Sequence, residues 1–372
     1  MGVSGSESVD VSTIVSIATA VPAFSATQDE VKAAFGPLFA LDGRRMDAAM
    51  ALFDRAEVHT RHSVMPVTEI ARPRTLTETM QVYARHARDL GHRVAADCLH
   101  RAGVPASSVD LVITVSCTGI MIPSLDATLI DTLGMRRDVR RLPITELGCV
   151  GGAAAVARAD DHLRGAPEGY VLVICVELPS LSLQPADVSA DNLVSSAIFG
   201  DGAAAVLLAG DACAARGPES GGAKPGPRIR ILETLSHTIP ASTHALGFDL
   251  HTDGFHPVLS KDVPALLRAE IAALTDRLGG LVGVSRDAIG AHVLHPGGKK
   301  VLGALEDALG LRREHTQPSW DVLREYGNQS SASVLFVLDR WQADRPPPRS
   351  TTGLMAAFGP GLTAQLLMVR WE

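Results

Sequence analysis

The sequence predicts an α/β layered protein made by duplicating one unit. Apolar, strand-like runs alternate with segments of helical period, a Pro/Gly/Ser-rich stretch divides the chain, and short landmarks recur in the second part at matched intervals. Residues 14–20 and 111–116 read as buried strands. Leu76–Ala102 carries helical spacing through Val82, Ala84, Leu90, Val94 and Leu99. Residues 170–176 and 203–208 continue the strand pattern, 263–278 is again helical, and Ala291–Leu294 and 362–369 close it with two more strands. Residues 214–228 and 343–353 read as loops. The expected organisation is a first half at 1–213, a connection at 214–228 and a second half at 229–372.

The landmarks align position by position. Gly148-Cys149-Val150-Gly151-Gly152-Ala153 is echoed by Gly327-Asn328-Gln329-Ser330-Ser331-Ala332, each a run of small residues leading into a helix. Cys117, ending a strand, precedes Cys149 by 32 residues, and His295, ending another, precedes Asn328 by 33. Downstream, Gly200-Asp201-Gly202 and Gly359-Pro360-Gly361 each introduce an apolar strand. Those intervals are 51 and 31 residues, a difference assigned to an insertion around 178–195. Cys149 and Asn328 are thereby equivalent positions at two related helix starts.

Composition narrows the function. With 372 residues, 46% hydrophobic and 20% charged, the chain can bury a large core. A formal charge of −7 and no concentrated basic run argue against nucleic acid. No apolar run is long enough to span a bilayer, so no membrane is expected as a partner. The opening Met1-Gly2-Val3-Ser4-Gly5-Ser6 fits a loose myristoylation pattern, but short Gly/Ser leaders match it by chance. The five cysteines (Cys98, Cys117, Cys149, Cys175 and Cys213) are scattered, odd in number and without metal-ligand spacing. A reducing cytoplasm and no metal are the expectations.

A cysteine at a helix start meets unpaired N–H groups and the positive end of the dipole, which favour a thiolate. With a neighbouring imidazolium, such cysteines reach pKa values of roughly 3.5–7.5. Gly148, Gly151 and Gly152 would let a thioester approach the backbone. An inert buried cysteine competes with this reading, but the setting favours a nucleophile. His295 stands at a strand end before Pro296-Gly297-Gly298, which turn the chain sharply; His292, three residues earlier, points to the opposite face. Asn328 alone would read as an N-cap. Cys, His and Asn at repeat-related positions suit acyl transfer, with the cysteine accepting the acyl group and two neutral donors stabilising an enolate or oxyanion.

Leu147-Gly148-Cys149-Val150-Gly151-Gly152, Phe199-Gly200-Asp201-Gly202-Ala203-Ala204, His295-Pro296-Gly297-Gly298, Gly327-Asn328-Gln329-Ser330-Ser331-Ala332 and Phe358-Gly359-Pro360-Gly361, in this order over nearly the whole chain, resemble the chalcone synthase family of type III polyketide synthases. The resemblance implies a duplicated thiolase fold with αβαβα layers, a homodimer, and no bound cofactor, coenzyme A thioesters being substrates. It further implies that Cys149 is loaded from an acyl-CoA starter while His295 and Asn328 hold malonyl-CoA for decarboxylation. The carbanion then attacks the acyl thioester, and repeated extension ends in cyclisation. Phe199 and Phe255 fall at the family's gating aromatics. Cys117, Thr118, Ser182, Leu246 and Ser330 fall on the cavity wall, and Ile122 would reach the partner subunit's cavity. Cys117, Ser182 and Leu246 depart from the plant enzymes, which argues against chalcone as the product. Arg55 and Lys300 are the candidates for gripping coenzyme A, with Arg44 and Arg45 as weaker ones.

Two enzyme rivals share this fold. A ketoacyl synthase III is disfavoured by His295-Pro296-Gly297-Gly298, and a hydroxymethylglutaryl-CoA synthase needs a carboxylate beside the cysteine, where only Glu146 is near in sequence. A non-catalytic acyl-CoA-binding protein is disfavoured by retention of all three polar residues.

Overall fold

The structure is a computed structural model and describes residues 12–214 and 228–372. The expected connection and the Gly/Ser leader therefore lie almost wholly outside the described residues. The strands are β1 (Thr13–Ala20), β2 (Phe24–Thr27), β3 (Thr60–Ser63), β4 (Leu111–Val115), β5 (Arg140–Ile144), β6 (Tyr170–Glu177), β7 (Gly202–Ala209), β8 (Ile229–Thr238), β9 (Leu246–His251), β10 (Gly254–Leu259), β11 (Ala291–Leu294), β12 (Thr352–Gly359) and β13 (Thr363–Trp371). Nine of them form one sheet in the order β11-β12-β13-β8-β1-β7-β6-β4-β5, while β2–β3 and β9–β10 pair separately.

The sheet is a duplicated object. The run β4-β6-β7-β1 is repeated as β11-β12-β13-β8, parallel in its first pairing and antiparallel in the next two. The copies join where Thr13 pairs with Arg230 and Ile14 with Ile229. The insertion expected in the first half is present: residues 178–201, with the helix Ala190–Ile198, stand between β6 and β7, whereas only a short turn, Pro360–Leu362, stands between β12 and β13. Loop 343–353 is shorter than expected, because the helix Ser333–Asp344 and β12 enter it from either side. β12 itself escapes the sequence reading, since Leu354-Met355-Ala356-Ala357-Phe358 lacks the β-branched residues that mark a strand.

Period-2 alternation places the strands between three apolar cores. Val171, Val173 and Cys175 of β6 and Leu367 and Val369 of β13 face a central core shared with the helices Gly151–Arg164 and Ser333–Asp344. Leu172, Ile174 and Val176 face an outer core under the helix Leu76–Ala102. Leu366 and Met368 face the other outer core, under the helices Val263–Val282 and Lys299–Leu309. The result is the αβαβα layering of the thiolase fold. The long first-half helix begins at a Thr75/Glu78 capping box and ends at Gly103 in the left-handed region, as its sequence dictates.

The glycines around Cys149 serve this packing. A Cβ on Gly152 would lie 2.1 Å from the Ser331 carbonyl oxygen, one on Gly151 2.7 Å from Val115, and one on Gly148 2.4 Å from Pro360. Each contact crosses between layers or halves. Gly152→Ala should therefore destabilise the protein by about 3 kcal/mol or more, as backbone oxygen cannot yield as a side chain does. Gly303, inside the helix Lys299–Leu309 with nothing within 4 Å of an added Cβ, is the control. Gly303→Ala should stabilise by about 0.5–1 kcal/mol through helix propensity. Urea unfolding of both variants checks the sign and size.

Candidate active site

The two related helix starts meet at the centre. Residues Gly148–Val150 form a 3₁₀ turn that carries Cys149 into the helix Gly151–Arg164, and neither has a side-chain cap. Asn328 lies two residues before the matching turn Ser330–Ala332, which feeds Ser333–Asp344. Gly327, at φ +72°, makes the approach, where an added Cβ would be 2.6 Å from the Ile198 carbonyl. The Asn328 N–H donates to that carbonyl (2.8 Å), and the Gly200 N–H donates to the Asn328 carbonyl (3.1 Å), so Asn328 and Phe199 are pinned together.

The Asn328 Oδ1 accepts from the Ser330 N–H (2.8 Å) and the Ser333 hydroxyl (3.3 Å), as a capping residue would. That fixes the amide, and the Cys149 thiol donates to the Ser330 hydroxyl at 3.5 Å. His295 ends β11 as expected: its N–H donates to Ala356 of β12 (2.9 Å), the ring is buried, and both ring nitrogens lack a protein partner. A cleft for a polar ligand leaves such a ring open. His292 is also buried, and its Nδ1 is likewise unpartnered.

Electrostatics correct one expectation. Burial pushes the Cys149 thiol up to about 11, against the Ser330 and Asn328 hydrogen bonds that lower it, and the nearby Glu177 adds to the rise. Desolvation outweighs the helix start. Burial also pushes His295 down to about 3, keeping the imidazole neutral.

Glu177 is the site residue that sequence reasoning missed. It ends the apolar run of β6 fully buried, and accepts from the Thr118 hydroxyl (2.7 Å), the Cys117 N–H (3.1 Å) and the Ser331 hydroxyl (2.5 Å). Burial raises its pKa. A lone carboxylate closing an otherwise apolar strand was its signal. Glu146, the carboxylate near Cys149 in sequence, is exposed. Cys117 sits between Glu177 and Ser330, its sulfur 3.2 Å from the Ser330 hydroxyl, and burial raises its thiol well above the ordinary value.

Cys149, Thr118, Phe199, Leu246 and Ser330 line one narrow apolar cavity, so these expected residues converge. Ser182 lines a second apolar chamber, which shares Pro179, Ser195, Phe199, Phe248 and Pro257 with the first. The Ser182 and Ser195 hydroxyls are buried without partners. Phe255 lines neither: it packs edge-on against Phe248 at 6.0 Å between ring centroids, and Phe248 takes the wall position. Both rings lie on the same face of the β9–β10 hairpin, where Phe255 pairs with Leu250 and Phe248 with Pro257; Phe255 stands nearer the tip, beyond the residues that line the cavities. Ile122 is 93% exposed and points away from its own cavity. Arg55 and Lys300 are exposed on neighbouring segments, since Lys299 and Arg313 both pair with Glu57 (2.9 and 3.4 Å). Arg44 and Arg45 are exposed at the start of the helix Gly43–Asp54.

Comparison with known proteins agrees with this arrangement. Residues 5–212 match the chalcone and stilbene synthases' N-terminal domain, and 231–371 their C-terminal domain. The chain is 35% identical over 358 residues to a 1,3,6,8-tetrahydroxynaphthalene synthase of Streptomyces peucetius, covering 96% of this chain and 93% of that protein. It is 36% identical over 334 residues to a phloroglucinol synthase of Pseudomonas fluorescens, covering 89% and 91%. The crystal structure of the Streptomyces coelicolor tetrahydroxynaphthalene synthase, a bacterial type III polyketide synthase, superposes with a TM-score of 0.89 at 31% identity, covering 97% and 99%.

Alkylation reads the sulfur directly. With His295 as acceptor of the Cys149 proton, His295→Gln should move the pH midpoint of iodoacetamide inactivation upward from that of the parent. The sign follows because a thiol whose pKa is raised stays protonated, and unreactive, to higher pH once its acceptor is gone. Equal midpoints in the variant and the parent would remove His295 from this role.

Proposed function

The chain belongs to the chalcone and stilbene synthase family, and from that premise we propose that it makes a small polyhydroxylated aromatic from malonyl-CoA, with Cys149, His295 and Asn328 as its catalytic residues. It is a type III polyketide synthase, an acyltransferase that condenses coenzyme A thioesters by decarboxylation. The observation that carries the reading is Cys149 on a narrow apolar cavity, its sulfur 3.5 Å from the hydroxyl of Ser330, whose N–H holds the Asn328 amide.

The Cys149 sulfur attacks the starter thioester carbonyl, and the coenzyme A thiol leaves with the proton that His295 held. The malonyl thioester oxygen then takes hydrogen bonds from the His295 ring and the Asn328 amide. Carbon dioxide departs, leaving its bonding electrons on the α-carbon as an enolate. That carbon attacks the acyl–Cys149 carbonyl, forming a C–C bond as the C–S bond breaks. A neutral imidazole suits this step, because an imidazolium would protonate the carbanion; burial keeps His295 neutral. No residue in this scheme needs a cofactor or metal.

Arg55 and Lys300 are proposed for the coenzyme A phosphates on the support of their exposure beside the Glu57 ion pairs. A homodimer is supported by the loop carrying Ile120 and Ile122, 51% and 93% exposed, next to cavity residue Thr118. A cytoplasmic setting is supported by five free cysteines; no described helix is long and apolar enough to cross a membrane.

The malonyl-derived product is supported by Leu246 narrowing the cavity and by the named products of the two relatives, tetrahydroxynaphthalene and phloroglucinol. The second chamber favours a second reading, in which it holds an aliphatic starter and the product is an alkylpyrone or alkylresorcinol. Purified protein given malonyl-CoA alone should yield polyhydroxylated aromatics by mass spectrometry. Products formed only when a long acyl-CoA is added would establish the second reading instead. Leu246→Gly should lengthen the product or admit a bulkier starter, and an unchanged spectrum would show that this wall does not limit size.

Cys149→Gln, which imitates the acylated cysteine, should lose condensation by at least about a thousandfold yet still release carbon dioxide from malonyl-CoA. Loss of decarboxylation in a folded variant would move that step away from His295 and Asn328.

A further inference from the structure

The tip of the β9–β10 hairpin gathers two imidazoles and a carboxylate that the condensation chemistry does not use. His251 ends β9, Asp253 lies in the turn and His256 stands in β10. One ligand atom from each lies within 4.8 Å of the others. The His251 and His256 rings stack with centroids 4.3 Å apart, and His256 Nε2 is 3.0 Å from Asp253 Oδ1. A tetrahedral ion with bonds near 2.0 Å needs donors roughly 3.3 Å apart, so modest rotamer motion closes the set.

The second observation is independent of these three. The other nitrogen of His256, Nδ1, faces Asp187 Oδ2 at 3.6 Å, from the segment before the helix Ala190–Ile198. A ligating histidine typically turns its far nitrogen to a carboxylate, which fixes the tautomer and raises its basicity. Here one ring has a carboxylate at each nitrogen, one beside the donor set and one behind it.

We propose that His251, Asp253 and His256 bind a borderline divalent cation such as Zn²⁺, with Asp187 orienting His256. Imidazole with carboxylate suits Zn²⁺ over Mg²⁺ or Ca²⁺, which prefer all-oxygen shells. His251 and Asp253 are exposed, leaving the fourth position to water, and none of the three residues lines either cavity. Its role is architectural. The same hairpin supplies Leu246, Phe248, Pro257, Val258 and Leu259 to the cavity wall. An ion closing its tip ties both strands to the Asp187 segment and holds that wall in place.

The test is metal binding and does not depend on polyketide synthesis. Chelator-treated protein is titrated with Zn²⁺ against a fluorescent zinc indicator, and with Co²⁺ followed by visible absorption. The parent should bind one equivalent with d–d bands of nitrogen and oxygen ligation. His256→Gln and His251→Gln should each weaken binding at least about a hundredfold, and Asp187→Asn by about 10–100-fold. His251 is exposed, so its variant keeps the test valid if substitution at His256 disturbs folding. The proposal is overturned by no stoichiometric binding, by parent-like affinity in the His251 variant, or by a sulfur-to-cobalt charge-transfer band that places the ion on a cysteine.

Discussion

The contact on which the rest depends is the one between the two central helices, where Gly152 lies against the carbonyl of Ser331. It brings the start of one duplicated unit onto the start of the other. Because Cys149 and Asn328 occupy equivalent positions there, close helix packing also joins them through Ser330, which meets the sulfur with its hydroxyl and the amide with its N–H. Small residues flank the contact on both sides, and the central layer is buried along its length. Packing at interior density leaves no slack for a methyl group, so the geometry of the site inherits the stiffness of the core.

Desolvation organises the chemistry around that contact. A thiol, an imidazole and a carboxylate are all taken out of water, and each is driven toward its neutral form. Hydrogen bonds oppose that drive unequally. Glu177 collects donors from Thr118, Cys117 and Ser331, whereas the His295 nitrogens have none and stay available. A neutral imidazole and a protonated thiol at rest suit the roles proposed for His295 and Cys149 in a reaction that must generate a carbanion without quenching it.

The periphery is less constrained, and it decides what the centre acts upon. The insertion between β6 and β7, together with the β9–β10 hairpin, builds the walls of both chambers, and neither has a counterpart in the repeated sheet. Duplication supplies the reacting groups, and these added segments supply the container. Loops and hairpins tolerate substitution better than the core, so product identity can change while the central contact persists.

Much of this was legible in the sequence by itself. Spacing of small-residue runs related Cys149 to Asn328, strand and helix periods located most elements, and ordered motifs identified the family. Those signals are local or repeat at fixed intervals, as hydrogen-bonded periods and a duplicated unit must. Tertiary structure alone showed that Gly148, Gly151 and Gly152 permit close packing between layers, with Gly148 also on the cavity wall. It alone exchanged Phe255 for Phe248 on the wall, set Glu177 beneath the cysteines, and reversed the expected shift of the Cys149 thiol. These outcomes turn on what lies across a layer or behind a side chain. Burial is a property of the assembled surroundings, and a chain position carries no measure of it until the other segments have closed around it.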